Sequence, residues 1–451
     1  MTRKSTALPI DMTNYEEFRD SAVEAYKSLP EEMDPLYTRN HINLQLGKEI
    51  RASTDVDGES RRFREAYGAL SKDLNAVEEL RFDAAIGSTS SILSNPSVVS
   101  LVSPDELGYE LINRKMHSNT EDKFAALIHA NTREFVVIDV PEGKKAHINI
   151  AFVNTESPLV TQVLIRVGKN AKLKLTEFMH SKTAEHSLLG IMNEISSDNY
   201  SSVELGIVHN EGPSTKVLNF CKGLAGEGSS MRINFVYNGG SMVRSKNNVS
   251  AAGRSSNIEV RELAFSSSDQ KFDINTVVRN AAEESNTLLE SKAAVKDSSL
   301  CLLKGFARID YGAKGSRSYV SERGLIVDKG AKIESLPSMA IDESEVKATH
   351  SSATAQVSEE SLFYLAARGI PESLANRLVL TGFFAETLYK MEDSMMKVMS
   401  LAMVKEKLDG LGFGHVPKIT EDDVLLGSMT QRGINEMYEH YKFRQQAGSV
   451  T

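Results

Sequence analysis

A chain of 451 residues with 41% hydrophobic side chains can bury a large core and is long enough for two or three structural regions. Its 52 basic and 61 acidic side chains leave a formal charge of −9, which gives no general electrostatic reason to bind nucleic acid or an anionic membrane. The only cysteines, Cys221 and Cys301, lie far apart in sequence, which argues against a disulfide framework and against a clustered thiolate metal site; both are expected as small buried hydrophobes.

The first residues, MTRKSTALPIDMTNYEEF, lack the continuous apolar core of a secretory signal. No window approaches the roughly 18 apolar residues that would span a bilayer, so a cytoplasmic protein without a membrane partner is expected. Asn14 precedes Glu17 by three residues, and Tyr15, Phe18, Ala22, Ala25 and Tyr26 recur at helical spacing up to Leu29-Pro30, which predicts an amphipathic helix. Charged stretches up to about Arg81 predict further helix. The next forty or so residues mix Ser, Gly and Asn with short apolar runs and read as a transition.

From Phe135 to about Ile341 apolar residues alternate with polar ones. Ile148, Ile150 and Phe152 are followed by Val163, Ile165 and Val167, then by Ala171, Leu173 and Leu175 against Lys172 and Lys174. Met231, Ile233, Phe235 and Tyr237 continue the series, as do Ile258 and Val260 between Glu259 and Arg261. These are short strands that each bury one face. A weak repeat links Val167-Gly168-Lys169-Asn170-Ala171-Lys172-Leu173 with Val327-Asp328-Lys329-Gly330-Ala331-Lys332-Ile333, and Val140-Pro141-Glu142-Gly143 with Ala146 and Ile148 is a looser copy. Such repetition suits a parallel β-helix, whose coils stack side chain upon side chain, but a β-sandwich shows as many short strands, and the pattern alone supports both equally.

After Val357 the period returns to helical. Ser358 suits an N-cap for a helix with Leu362, Leu365 and Ala366 on one side, Gly369 suits its end, and Pro371 opens another helix with Leu374, Ala375 and Leu378. Met391, Met395, Val398, Met399 and Ala402 then form a stripe expected as core or partner surface. The organisation expected is a helical and transition region over residues 1–120, a strand core over 121–356 and a helical domain over 357–451.

A phosphate-cradling G-x-x-x-x-G-K-[ST] loop is missing, as are H-E-x-x-H, G-x-S-x-G and an EF-hand loop, so an enzyme built on a common local motif is not expected. Asp269 and Asp273 in DQKFD would share one side of a strand with Lys271 and could hold a cation, but the plainer expectation is a solvated polar edge. His180 and His186 lie in a polar stretch and are expected at the surface. His350, in Val346-Lys347-Ala348-Thr349-His350-Ser351-Ser352, stands where rigid strand meets helix, and by itself it reads as a structural or exposed histidine.

The segment EVKATHSSATAQVSEESLFYLAARGIPESLANRLVLTGFFAE, from Glu345 to Glu386, closely resembles the C-terminal signature of the SufB/SufD family of iron-sulfur cluster assembly scaffolds. The likeness lies in the V-K-x-x-H-x-x-A-T run, the S-E-E-x-L-F-Y-L-x-x-R-G-I helix and the G-F-x-A-E ending. Weaker similarity through DKFAALIHA, VIDVPEGKKAHINIAFV, VGKNAKLKLTEF and SSSDQKFD extends it over roughly residues 120 to 390. The resemblance implies a mainly β chain, a right-handed parallel β-helix flanked by N-terminal and C-terminal helical regions. It further implies a non-enzymatic scaffold in a SufBCD-type complex, partnered by a SufC-type ATPase and by a SufB-type paralogue or a second copy of itself. By the same resemblance the C-terminal helices dock the ATPase, which carries onto Arg368, Gly369, Gly382 and Phe383, and the ends of the β-helix form the dimer interface.

Within the family the chain is closer to SufD. The SufB type has a cysteine where Ser321 aligns and a glutamate directly after the histidine, where this chain has Ser351. His350 matches the histidine common to both types, and the resemblance implies that it faces the nascent cluster as a metal ligand. No cofactor is expected to be bound stably, only transient iron or an iron-sulfur cluster at the subunit interface. Family members often read D-Q-H-x-D-x-H where this chain has Asp269, Gln270, Lys271, Phe272, Asp273, Ile274 and Asn275, so both histidines are replaced. The alternatives are a SufB-like homodimeric scaffold that binds the cluster itself and a β-helix polysaccharide-active enzyme; the missing thiolate at Ser321 and the lack of an export signal or acidic cluster argue against them.

Overall fold

The computed structural model describes residues 15–29, 56–74, 82–88, 90–94, 99–103, 122–155, 157–181, 187–391 and 394–410. Its body is a parallel β-solenoid of about seven turns with helices in its N-terminal and C-terminal regions. The tie with a sandwich is thereby resolved. Successive strands go alternately to two sheets, so that Lys145–Asn154 pairs in parallel with Lys172–Ser181, two strands on, while Leu159–Val167 pairs with Ser187–Ser197 in the other sheet. Side chains alternate across each strand, and the inward set, including Ile150, Ile207, Phe235, Leu289 and Val320, fuses into one continuous core. Strand pairing reaches back to Ala84–Ile86 and forward to Lys347–Gln356, beyond both limits of the alternating sequence pattern.

One edge of the solenoid carries a column of corners in the left-handed backbone region. Gly143, Asn170, Tyr200, Gly228, Ser255, Glu284 and Gly315 all have φ between 55° and 72°. Each amide donates to a carbonyl of the next turn, from Gly143 to Lys169 at 2.9 Å through to Gly315 and Glu345 at 2.8 Å. A left-handed residue with a side chain is strained by about 1–2 kcal/mol, which the hydrogen bond at each corner helps to offset. The repeat around Asn170 lies in this column with its looser copy at Gly143, whereas Val327–Ile333 turns on the opposite edge of the solenoid, with the matching bond from Ala331 N to Asp328 O but no left-handed residue.

The outer faces of the two sheets are covered by helix. Helix α1 (Tyr15–Ser28) packs on α3 (Lys123–Asn131), with Phe18 edge-on to His129 at 4.9 Å, and α3 lays Phe124, Leu127 and Ile128 against Leu188, Met192 and Leu218. Asp122 caps α3 at Phe124 N (2.7 Å) and also pairs with Lys246 (3.1 Å), so one carboxylate fixes the helix to the sheet; these cations and amide bonds hold its pKa down despite burial. Helix α2 (Val56–Leu74) buries Phe63 and Leu70 against Ala151, Val153 and Phe178 of the other sheet. Further along that sheet lie α4 (Glu359–Ala367), α5 (Glu372–Leu388) and α6 (Ser394–Leu408). Of the methionine stripe, Met391, Val398, Met399 and Ala402 are buried, as expected of core; the side chain of Met395 is outside the described residues. Among the described residues no helix is long and apolar enough to cross a membrane.

Candidate functional site

The last strand, Lys347–Gln356, adds in parallel to Arg317–Ile326 with His350 opposite Val320, Ser351 opposite Ser321 and Glu322 opposite Ser352. It is the terminal strand of its sheet, and nearly all of its residues are exposed. Lys347 N and Val357 N donate back to Ser316 O and Ile326 O, so in this ladder the odd-numbered amides face the solenoid and the even-numbered ones, His350 among them, point away from it. The strand therefore presents an unpaired row of backbone donors and acceptors.

Side-chain alternation splits the residues singled out from sequence. His350 extends the inward row that runs through Val260, Leu289 and Val320, and it is exposed because it stands on the last rung. Ser351 and Ser321 lie on the outer side, where Ser351 donates to Ser321 at 3.2 Å and lies 3.4 Å from the Tyr319 hydroxyl. These serine hydroxyls draw the Tyr319 phenol below its ordinary pKa. The two positions that distinguish the chain from the SufB type thus touch each other, while the histidine faces away from both. Among the described residues no three His, Cys, Asp or Glu side chains converge as a metal site.

The four positions expected to bind the ATPase divide between the tip and the base of a helical hairpin. Gly369, with φ +82°, ends α4 in a Schellman turn: its amide donates to Ala366 O (2.9 Å) and that of Ile370 to Leu365 O (3.1 Å). Arg368 lies over the Tyr364 ring at 4.6 Å. Gly382 is exposed on α5, and Phe383 beside it is half-buried, with its ring 5.4 Å from the Lys292 ammonium. Along the hairpin Phe363 is 76% exposed and Tyr364 55%, joined by Leu374 and Leu378 at 42% and 49%. Of the apolar trio Leu374, Ala375 and Leu378 that marked α5, only Ala375 is buried. The exposed Phe363-Tyr364 pair was present in the family signature, but a signature does not reveal exposure.

At its base α5 is fixed by charge. Lys292, with only 2% of its side chain exposed, donates to Phe383 O at 3.0 Å and to Glu386 at 2.9 Å. Lys390 spans Glu290 and Glu386. The Lys292 ammonium holds the Glu386 carboxyl down to about 2.

Three further expectations are corrected or left aside. Asp269 sits in an exposed turn before the strand Lys271–Asn280, so it does not face Asp273, and Asp273 is buried in an ion pair with Lys304 at 2.6 Å rather than solvated. His180 is buried rather than at the surface, its ring stacked 6.3 Å from Phe178, because it belongs to the strand Lys172–Ser181. His186 lies outside the described residues. Cys221 and Cys301 are fully buried and their thiols are pushed far up by burial and by nearby carboxyls, which suits inert packing.

The profile described as SUF system FeS cluster assembly, SufBD core domain, matches residues 150–383, just over half of the chain. Bacillus subtilis SufD, named as an iron-sulfur cluster assembly protein, is 22% identical over 296 residues, which is 64% of this chain and 67% of its own. An iron-sulfur cluster assembly SufBD family protein of Mycobacterium tuberculosis is 30% identical over 179 residues, 38% of this chain, and one from Mycobacterium leprae is 28% identical over 193, or 41%. The chain spans 45% and 49% of the length of these two mycobacterial relatives. A parallel solenoid with the matched core inside it, and a SufD among its relatives, places the chain in the SufB/SufD family of iron-sulfur cluster assembly proteins as a SufD-like member.

Proposed function

We propose that this protein is a SufD-like scaffold subunit of a SufBCD-type complex, without turnover of its own, whose last solenoid rung joins a SufB-type paralogue or a second copy. The observation that carries this reading is the exposed ten-residue edge strand Lys347–Gln356, since a long edge with no strand beyond it among the described residues calls for another strand. A SufC-type ATPase docks on the hairpin of α4 and α5, supported by the exposed apolar side chains beside Arg368 and Gly369. Iron and sulfide are cargo assembled at the joined edges in the cytoplasm. His350 supplies one neutral imidazole ligand there, and the remaining ligands come from the partner. Imidazole nitrogen is a borderline donor suited to iron and binds only when deprotonated.

The SufB-like alternative, a homodimer that holds the cluster by itself, is disfavoured by the hydroxyl pair Ser321–Ser351 where that type has a thiol and a carboxylate. The test is copurification of the native complex with analysis of iron and acid-labile sulfide. An ATPase and a second scaffold chain should accompany this one; its recovery alone would overturn the reading. A His350→Ala variant should retain both partners and lose cluster formation on the complex, and an undiminished cluster yield would remove the ligand role.

A further inference from the structure

The lumen of the solenoid is mostly apolar but holds buried polar side chains, among them Glu177, Asn247 and Thr276, and one polar row runs to the open end. Glu262, Ser291, Glu322 and Ser352 occupy aligned positions on successive rungs of one sheet, ending at the exposed strand. Both carboxyls are fully covered. Ser291 donates to one oxygen of Glu262 at 2.6 Å, while Asn247 (3.3 Å) and Thr276 donate to the other. Glu322 accepts from the amide of Gly305, across the lumen, and from Ser335, which in turn lies 2.7 Å from the exposed Ser352. Hydroxyls can both give and receive a proton, so Ser335 and Ser352 connect a buried acid to the surface.

A row of this kind has a purely structural use, since polar pins fix the register of stacked strands. A pin, however, needs only an acceptor, and an amide would serve without the cost of burying an ionisable group. The groups facing Glu322 explain how that cost is met. They are the Gly305 and Leu336 amides, the Ser335 hydroxyl, the Cys301 thiol and the Glu262 carboxyl, with no cation among those shown to act on it. Burial, reinforced by the Glu262 charge and opposed by the Ser335 and Gly305 donors, raises the Glu322 pKa to about 7, so that the carboxyl divides between acid and anion near neutrality.

We propose that Glu322 is the proton-accepting group of the open rung, exchanging protons with solvent through Ser335 and Ser352. What uses it rests on the reading of the last strand as an assembly edge. A hydrosulfide there loses a proton as it binds a metal ion, the Glu322 carboxylate takes that proton to become the acid, and no electron moves.

Infrared difference titration of the isolated chain, without iron or partners, tests the relay apart from the assembly role. The wild type should show protonated carboxyl absorption that titrates near neutrality, and Glu322→Gln should remove the Glu322 share of it, leaving that of Glu177, which burial raises to about 8, while keeping the fold by circular dichroism. Because that variant can fail to fold, a second arm uses the peripheral pair Ser335→Ala with Ser352→Ala. It should keep the absorption but slow its exchange into deuterated water several-fold. Titrating absorption undiminished by Glu322→Gln, or exchange that is unchanged without the two hydroxyls, overturns the proposal. Either failure would leave the copurification test of the complex untouched.

Discussion

The two ends of the solenoid are finished differently. At the first end each sheet stops on a short strand that turns antiparallel: Ser91–Leu93 on Ala84–Ile86, and Val99–Val102 on Phe135–Val140. Strands of three and four residues offer little template for another chain. At the last end one sheet stops on short pieces, Lys332–Ser335 and Ser338–Ile341, and the other on ten residues laid bare. Among the described residues one edge is blunted and the other is left long and regular, so strand addition is easier at the last rung than at the first.

The widest separation between the covered body and the open rung is expected from side-chain truncation. Phe235→Ala, in the middle of the lumen, should cost about 3–5 kcal/mol by denaturant unfolding, because stacked rungs cannot collapse around the void. Next comes the fastening of α5. Glu386→Ala leaves the Lys292 ammonium covered, beside Phe383 O and the Phe383 ring, and should cost about 2 kcal/mol, less than a wholly buried pair because Glu386 is half exposed. Amide exchange should show the loss in α5 and not in the solenoid. Since the Glu386 pKa is depressed to about 2, its contribution is complete above the usual glutamate pKa and fades as pH falls through about 2, and acid titration of α5 protection should follow that course. The smallest effect belongs to the edge. Thr354→Pro removes an outward amide and should alter the stability of the isolated chain by only about 1 kcal/mol, yet abolish its pairing with another scaffold chain in sedimentation. Retained association would show that the edge strand is not the joining surface.

The strands were legible because Val163, Ile165 and Val167 or Ile258 and Val260 alternate cleanly. Their pairing was not, since alternation is the same in parallel and antiparallel sheets, and only family resemblance separated solenoid from sandwich. The interior acids carried a readable signal that went unused: Glu262 follows Ile258 and Val260 at the same spacing and is therefore an inward position filled by a charge. Likewise Ala348, His350, Ser352 and Thr354 form an inward row without large apolar residues, the mark of a rung with nothing to pack against. The ion pairs that hold α5 could not be read, because Lys292 and Glu386 are nearly a hundred residues apart and each looks like an ordinary surface charge.

The corner column has an implication for ancestry. Asn170, Tyr200, Ser255 and Glu284 share almost nothing chemically, yet all adopt the same left-handed bend, because what closes each corner is a main-chain amide and not a side group. Substitution can therefore pass through these corners with little penalty. Divergence at the corners can therefore run far ahead of divergence in the lumen, where each side chain must fit the rungs above and below it.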